Sequence, residues 1–156
     1  MPDSLFPLAD ETSSNPSVAA GIARGVMRLF ADLGYAALQE FPLRVKRRAD
    51  IVALNNAGEI IIVEIKSGRA DFRSDQKWPD YLDFCDRFYF AVDPDFPRDI
   101  LPADCGLIIA DRHGGAIVRE SAAAPLNGNR RRAQILQIAL TASQRLARVT
   151  DSVSLS

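Results

Sequence analysis

The chain has 156 residues, of which 47% are hydrophobic and 25% are charged. This length and composition fit a single compact domain and exclude an intrinsically disordered protein. Nineteen basic residues against twenty acidic ones give a net charge of -1, so the protein is not a general polycation and any nucleic-acid-binding surface has to be local. The sequence lacks an apolar run of about 18 residues and a basic leader followed by an apolar stretch, which predicts a cytoplasmic protein outside the membrane.

The first 16 residues and the last eight carry no periodic apolar pattern. They are rich in Pro, Ser, Asp and Asn at the start and polar at the end. We therefore expect a flexible N-terminal arm over residues 1–16, one domain over residues 17–148, and a flexible C-terminal tail over residues 149–156.

A helix followed by a strand is predicted at the start of the domain. Apolar residues recur at three- and four-residue steps from Pro16 to Leu33, Asn15 can cap this helix, and Gly34 ends it. The next segment, Tyr35–Val45, is predicted to be extended. Its Pro42 is typical of an edge strand or an irregular one.

Two apolar runs, Asp50–Leu54 and Glu59–Lys66, flank Asn55-Asn56-Ala57-Gly58 and predict a β-hairpin. Their apolar residues are continuous rather than alternating, which is typical of strands buried on both faces. We therefore expect an α/β sandwich, with a central mixed β-sheet flanked by helices. The later predicted elements are a short helix over Pro79–Cys85, a strand over Arg87–Val92, a hairpin of Gly106–Ala110 and Ala116–Arg119, and a helix over Arg130–Arg148.

The hairpin register predicts that Asp50 faces Glu64. A three-residue turn with Gly58 in the left-handed conformation pairs residues whose numbers sum to 114, and a two-residue turn would instead send the carboxylates to opposite faces. With the first register their Cβ atoms are about 5 Å apart, and Lys66 points to the same face.

Two carboxylates this close repel each other unless a cation lies between them. Carboxylate oxygens prefer hard ions, and Mg²⁺ in particular binds through one or two carboxylates together with waters and substrate phosphate. We expect Mg²⁺ here, with Mn²⁺ as a substitute. An ammonium from Lys66 could position a water or stabilise charge on phosphorus, so the cluster predicts phosphodiester hydrolysis.

Asp50 on one strand and Glu64-Ile65-Lys66 on the next resemble the two-carboxylate-plus-lysine pattern of the PD-(D/E)XK nuclease superfamily. The element order over residues 17–92 is also similar, although Ala49 stands where the nominal motif has Pro. Three segments together resemble the MmcB-like DNA repair proteins of bacteria: Arg47-Arg48-Ala49-Asp50, Val63-Glu64-Ile65-Lys66-Ser67 and Asp75-Gln76-Lys77-Trp78-Pro79-Asp80-Tyr81.

The resemblance implies a restriction-endonuclease-like αβα sandwich and a Mg²⁺-dependent DNA endonuclease acting in bacterial DNA repair. It implies that Asp50, Glu64 and the carbonyl of Ile65 bind the metal and that Lys66 assists the nucleophile. Relatives often take a further acid from the first helix. That helix offers only Asp32, at the wrong end, so Glu40 is the candidate.

The expected partner is DNA, recognised by structure or nonspecifically, at the nucleoid. Other repair proteins and a second copy of the chain are possible partners, because two opposed cuts favour a twofold pair. The candidate DNA contacts are the basic residues before the motif, the motif serine, a loop Lys-Trp pair and a later arginine cluster: Arg44, Lys46, Arg47, Arg48, Ser67, Lys77, Trp78, Arg130, Arg131 and Arg132.

Other interpretations stay open on the sequence alone. One alternative is a structural ion pair of Glu64 with Lys66, and another is packing of Trp78 in the core. For the whole domain the alternatives are a nuclease-fold module that binds DNA or recruits repair proteins without cutting, and an interaction domain with no nucleic-acid role. Cys85 and Cys105 lack CxxC spacing, and the one histidine, His113, does not complete a zinc site, so both thiols are expected to be buried and reduced.

Overall fold

A mixed six-stranded sheet with helices on both faces forms the centre of the protein. The computed structural model describes residues 15–154, so residues 1–14 of the arm predicted over residues 1–16 lie outside them, while Pro16 begins the first helix. The elements of the described chain are helices α1 (Pro16–Asp32), α2 (Arg69–Ser74) and α3 (Gly128–Ser154), strands β1 (Ala36–Leu43), β2 (Arg47–Leu54), β3 (Ile60–Ile65), β4 (Arg87–Val92), β5 (Gly106–Asp111) and β6 (Gly114–Arg119), and 3₁₀ segments at Trp78–Phe84 and Arg98–Ile100.

The strands lie in the sheet in chain order, from β1 at one edge to β6 at the other. The β1, β2 and β3 neighbours are antiparallel, β3, β4 and β5 run parallel, and β6 is antiparallel to β5. The predicted α/β class with a mixed sheet is therefore confirmed. Pro42 lies in β1 at the sheet edge, where a missing N–H is tolerated.

Both faces of the central strands are buried, as their continuous apolar runs predict. On one face Ile51, Val63 and their neighbours pack with Val26 and Phe30 of α1. On the other face the sheet packs against the 3₁₀ segment Trp78–Phe84 and α3. These two cores fix the ends of β2 and β3 relative to the elements on either side.

Helix α1 begins where its cap predicts. The side chain of Asn15 accepts hydrogen bonds from the backbone N–H groups of Ser17 and Val18, and Gly34 follows the helix with φ +85°. Within the helix, a Cβ at Gly25 would lie 2.0 Å from the carbonyl oxygen of Asp111. Only glycine permits this close approach of α1 to the β5–β6 turn.

Several elements differ from the sequence predictions. The short helix predicted over Pro79–Cys85 is a 3₁₀ segment over Trp78–Phe84, and α2 was not predicted. Helix α3 continues to Ser154 rather than ending at Arg148, so residues 149–154 of the predicted flexible tail are helical. The chain has no glycine or proline after Gly128, and the helix therefore meets no breaker where its apolar face ends.

The structure bears on the expectations for the two cysteines and for membrane-spanning helices. Cys85 and Cys105 are free and buried, which confirms the predicted buried thiols. Over residues 15–154, none of the helices combines the length and apolar character that crossing a bilayer requires.

Candidate active site

The β2–β3 hairpin has the register that the sequence predicts. Leu54 pairs with Ile60 and Val52 with Ile62, and Gly58 in the turn has φ +82°. Side chains alternate along a strand with a period of two, so this register decides which charged groups meet at the far end of the hairpin.

The carboxylates of Asp50 and Glu64 each accept a hydrogen bond from a backbone N–H of the other's strand. The N–H of Asp50 donates to Glu64 Oε1 at 3.1 Å, and the N–H of Ile65 donates to Asp50 Oδ2 at 2.8 Å. Glu64 is 5% exposed. The two carboxylates are thus fixed by the strands themselves, on a rigid part of the sheet.

Both carboxylates are destabilised in their charged forms. Burial raises the pKa of Glu64, and the negative charge of Asp50 raises it further. Burial likewise raises the pKa of Asp50, with added repulsion from Glu40 and Asp71. The positive charge of Lys66 lowers both pKa values but does not offset burial and repulsion, so a further cation at this end of the hairpin would stabilise the charged pair.

The ammonium of Lys66 is buried beside the pair and is held by acids that the sequence analysis did not identify. Lys66 is 4% exposed, and its Nζ lies 2.7 Å from Asp75 Oδ2 and 3.9 Å from Asp71 Oδ1. Burial acts to raise the pKa of Asp75, but hydrogen bonds from Lys66 and from the Lys77 N–H hold it below its ordinary value. Lys66 pairs with Asp75, so the structural Glu64–Lys66 ion pair is not the arrangement seen.

The sequence carried a signal for these two acids. Asp71 and Asp75 follow the Glu-Ile-Lys motif within ten residues, at a spacing of four. That spacing would place both on one helical face, but α2 ends at Ser74 and Asp75 caps it in an extended conformation. Proximity to Lys66 comes instead from the return of the chain across the end of β3.

A cavity of 480 Å³ opens onto the carboxylates. Asp50, Glu64 and Lys66 lie on one side of it, and the first turns of α1 contribute Ala19 and Ala20 on the other. These small side chains leave room for a ligand. As expected, α1 supplies no acid to the described part of the cavity wall.

Glu40, the predicted further acid, lies at the rim of this cavity. Its Oε2 is 2.5 Å from Nε of Arg48, its side chain is 55% exposed, and its φ is +53°. Within residues 15–154, no three His, Cys, Asp or Glu side chains converge closely enough to form a metal site by themselves. Glu40 therefore lies near Asp50 without completing a three-carboxylate set.

The donors that are present fit a hard divalent cation. Asp50 and Glu64 supply two fixed carboxylates whose charges repel, and the main chain at Ile65 adjoins them in the same cavity. Mg²⁺ commonly binds through one or two carboxylates and completes its shell with water and phosphate oxygens. The set is too small and too hard for a structural zinc site.

Of the four basic residues before Asp50 that are predicted to contact DNA, two are exposed on a turn and two form ion pairs. Arg44 and Lys46 are exposed on the β1–β2 turn. Arg47 pairs with Asp80 at 2.9 Å, and Arg48 pairs with Glu40 at the cavity rim. The turn thus keeps a local basic surface, and β2 connects it to Asp50.

The arginine cluster at the start of α3 also divides. Arg130 and Arg132 are exposed, whereas the guanidinium of Arg131 donates two hydrogen bonds to Asp86, at 2.6 and 2.7 Å, and another to the Gly58 carbonyl. Arg131 therefore stabilises the fold, and its guanidinium is engaged with Asp86 where the sequence predicts a DNA contact. Its acidic partner lies 45 residues earlier in the chain, which the sequence pattern did not indicate.

The remaining predicted contacts lie on the segment after β3. Trp78 stacks on Phe88 with ring centroids 5.7 Å apart and meets Phe90 edge-on, which is the packing alternative, and its base-stacking role stays a prediction. Lys77 is exposed. Ser67 accepts a hydrogen bond from the Asn15 N–H, and its hydroxyl is 3.4 Å from Asp71.

Comparisons with known proteins place this geometry in context. A family model described as DNA repair protein MmcB-like matches residues 6–153. The chain is also similar to a solved structure described as SPO1766 protein of unknown function from Silicibacter pomeroyi, with 41% sequence identity and a TM-score of 0.82. That similarity covers 86% of this chain and 92% of the other. No curated protein matches the chain at a significant level.

Proposed function

Because the chain belongs to the MmcB-like family of DNA repair proteins, we propose that it is a Mg²⁺-dependent DNA endonuclease of the PD-(D/E)XK type that acts in bacterial DNA repair. The proposed fold is correspondingly the restriction-endonuclease-like form of the αβα sandwich. DNA as substrate would place the protein at the nucleoid.

The observation that supports this function best is the facing pair of carboxylates, of which Glu64 is buried and Asp50 is half-buried. Asp50 and Glu64 are held by each other's strands, at the open end of an apolar hairpin, next to a cavity. A merely structural role would not require two like charges to be buried side by side, because their repulsion costs stability. A divalent cation that binds substrate phosphate explains why both are present.

The roles of the residues follow from their positions. Asp50, Glu64 and the Ile65 carbonyl would hold the metal, which supplies Lewis-acid polarisation of the phosphate and a more acidic bound water. Lys66 would place a positive charge beside the reacting phosphate. Asp75 holds the ammonium of Lys66 in one position, through the 2.7 Å contact.

The path of the DNA backbone would follow the basic turn. Arg44 and Lys46 are exposed beside the rim where Arg48 pairs with Glu40. Phosphate contacts from such residues position a substrate without reading its sequence. The near-neutral net charge and the small domain favour structure-specific or nonspecific recognition over a long target sequence.

One observation favours an alternative function, a DNA-binding or protein-recruiting module that does not cut. Lys66 is paired with Asp75, and no third carboxylate converges on Asp50 and Glu64 within the described residues. A domain that had lost its chemistry would tolerate this arrangement. Cleavage assays decide between the two functions.

The native protein is expected to cleave branched, nicked or single-stranded DNA in Mg²⁺ or Mn²⁺ and not in EDTA. Lys66→Met is expected to lower the rate by about a hundredfold, comparable to removal of one preorganised donor, while metal affinity measured by calorimetry is unchanged. Lys66→Arg is the matched control that keeps the charge. Equal rates for the native protein and Lys66→Met would remove Lys66 from the site, and absence of cleavage on the whole panel would favour the noncatalytic module.

A further inference from the structure

A second and larger cavity lies away from the carboxylates. It is a groove of 720 Å³ between the β1–β2 turn, the 3₁₀ segment Trp78–Phe84 and the start of α3. Arg44, in the β1–β2 turn, lines this groove, whereas Glu40, four residues earlier in the chain, lines the active-site cavity. Four residues of chain span at most roughly 13 Å, about four steps of a stacked nucleic-acid strand. One DNA molecule can therefore reach both cavities.

The groove contains a fixed, planar, cationic surface. The guanidinium of Arg130 lies over the ring of Phe84, with its central carbon 5.0 Å from the ring centroid. Its Nη1 donates to the carbonyl of Asp83 at 3.1 Å, and the buried Gln134 donates to the carbonyl of Phe84 at 2.8 Å. The guanidinium is thus held in place while remaining exposed. Unpaired bases stack on such planes.

The charges along the groove have both signs. Arg44 and Arg130 line it together with Asp80 and Asp83. A surface that bound only phosphates would not place two carboxylates beside the arginines, because carboxylates repel the DNA backbone. Asp80 is paired with Arg47, so Asp83 is the carboxylate that can accept a hydrogen bond from the exocyclic amino group of a base, and arginines bind the adjoining phosphate. The mixed lining fits a nucleotide better than a bare phosphate.

The size of the groove agrees with this ligand. Its volume lies within the range of roughly 300–1,000 Å³ that accommodates small-molecule ligands. A paired base keeps both faces stacked in its duplex and cannot offer one to Arg130. We propose that the groove binds an unpaired nucleotide of the DNA, so that the protein prefers DNA in which a single-stranded segment adjoins the bond to be cut. The position of the cut bond rests on the proposed function, whereas the binding preference rests only on DNA as the ligand.

Binding to a splayed-arm DNA and to a blunt duplex of the same sequence tests the proposal. Fluorescence anisotropy in EDTA measures both affinities without cleavage. The native protein should bind the splayed DNA about tenfold more tightly. Arg130→Ala removes the stacking plane, and Ala133→Phe fills the groove without changing the charge. In each variant the affinity for splayed DNA should fall about tenfold and the affinity for the duplex less than twofold. Arg148→Ala, the same charge removed far along α3, should change neither.

Three results would overturn the proposal: equal affinity of the native protein for the two DNAs, equal losses on both DNAs in the groove variants, or undiminished binding of splayed DNA by both variants. Thermal melting confirms that each variant is folded, and the two groove variants act through different changes. The proposed nuclease function is tested separately by the cleavage assay, and it fails if DNA is bound but not cut. The anisotropy measurement still reports the preference for splayed DNA in that case.

Discussion

Replacing either Asp50 or Glu64 by alanine is expected to lower the rate of metal-dependent DNA cleavage by about a thousandfold or more, which corresponds to about 4 kcal/mol of transition-state stabilisation. The two side chains supply the proposed metal ligands, and neither has a neighbour that can substitute. Glu40 is engaged with Arg48 at the rim, and Asp71 accepts the N–H of Ser67. The measurement is the initial rate of cleavage at saturating Mn²⁺.

DNA affinity in EDTA should remain within about threefold of the native value in both variants, because neither carboxylate favours binding of a polyanion. Asp99→Ala is the matched control, since Asp99 is an acid on a distant 3₁₀ segment. It should cleave at the native rate. Native rates in both Asp50→Ala and Glu64→Ala would refute the assignment of the site.

The second large effect is expected on stability. Asp86→Ala should lower the free energy of unfolding by about 3–5 kcal/mol, because it leaves Arg131 without its partner in a largely buried site. The carboxylate of Asp86 also accepts the N–H groups of Ile60 and Leu126, at 2.7 and 2.8 Å, and so connects β3, β4, the segment before α3 and α3 itself. Urea denaturation measures the loss.

The same contact predicts a pH dependence. Burial acts to raise the pKa of Asp86, but the Arg131 guanidinium and the amides of Leu126 and Ile60 hold it below its ordinary value. A carboxyl group whose pKa is lower in the folded than in the unfolded state contributes its full stabilisation above the unfolded-state pKa of about 4. This stabilisation is lost as the pH falls through the folded-state pKa. The gap in unfolding free energy between the native protein and Asp86→Ala should therefore shrink below about pH 4.

Asp83→Ala is the matched control for this stability test. Asp83 lies three residues before Asp86 and is exposed, and its hydrogen bond with Arg130 uses the backbone carbonyl, which the substitution keeps. A loss below about 1 kcal/mol is expected there. If Asp86→Ala lowered the free energy of unfolding no more than Asp83→Ala, the contact of Asp86 with Arg131 would not stabilise the fold.

The sequence was sufficient to predict the hairpin because local rules determine it. Gly58 sets the turn, the side-chain period of two sets the facing pairs, and the apolar runs set burial on both faces. Asp50 and Glu64 follow from these rules alone. The α/β class and the edge position of β1 could be predicted from the sequence for the same reason, because Pro42 and the uninterrupted apolar strands are local signals.

The contacts that the sequence did not reveal join distant segments. The pairing of Arg131 with Asp86 depends on how α3 crosses the sheet, and a run of three arginines looks the same whether its members are exposed or paired. Asp75 meets Lys66 because the chain turns back after α2. Such contacts arise from tertiary packing, which neither charge spacing nor periodicity encodes.

Calorimetric titration of Mn²⁺ into the native protein and into the double variant Asp50→Asn, Glu64→Gln tests the central claim most directly. The amides keep an oxygen for the N–H groups of Asp50 and Ile65 but remove both negative charges, so the fold is retained while the cation loses its ligands. We expect saturable binding with a stoichiometry near one site in the native protein, and none in the variant. Equal binding by both, or none by the native protein even with DNA present, would contradict a metal site at this hairpin.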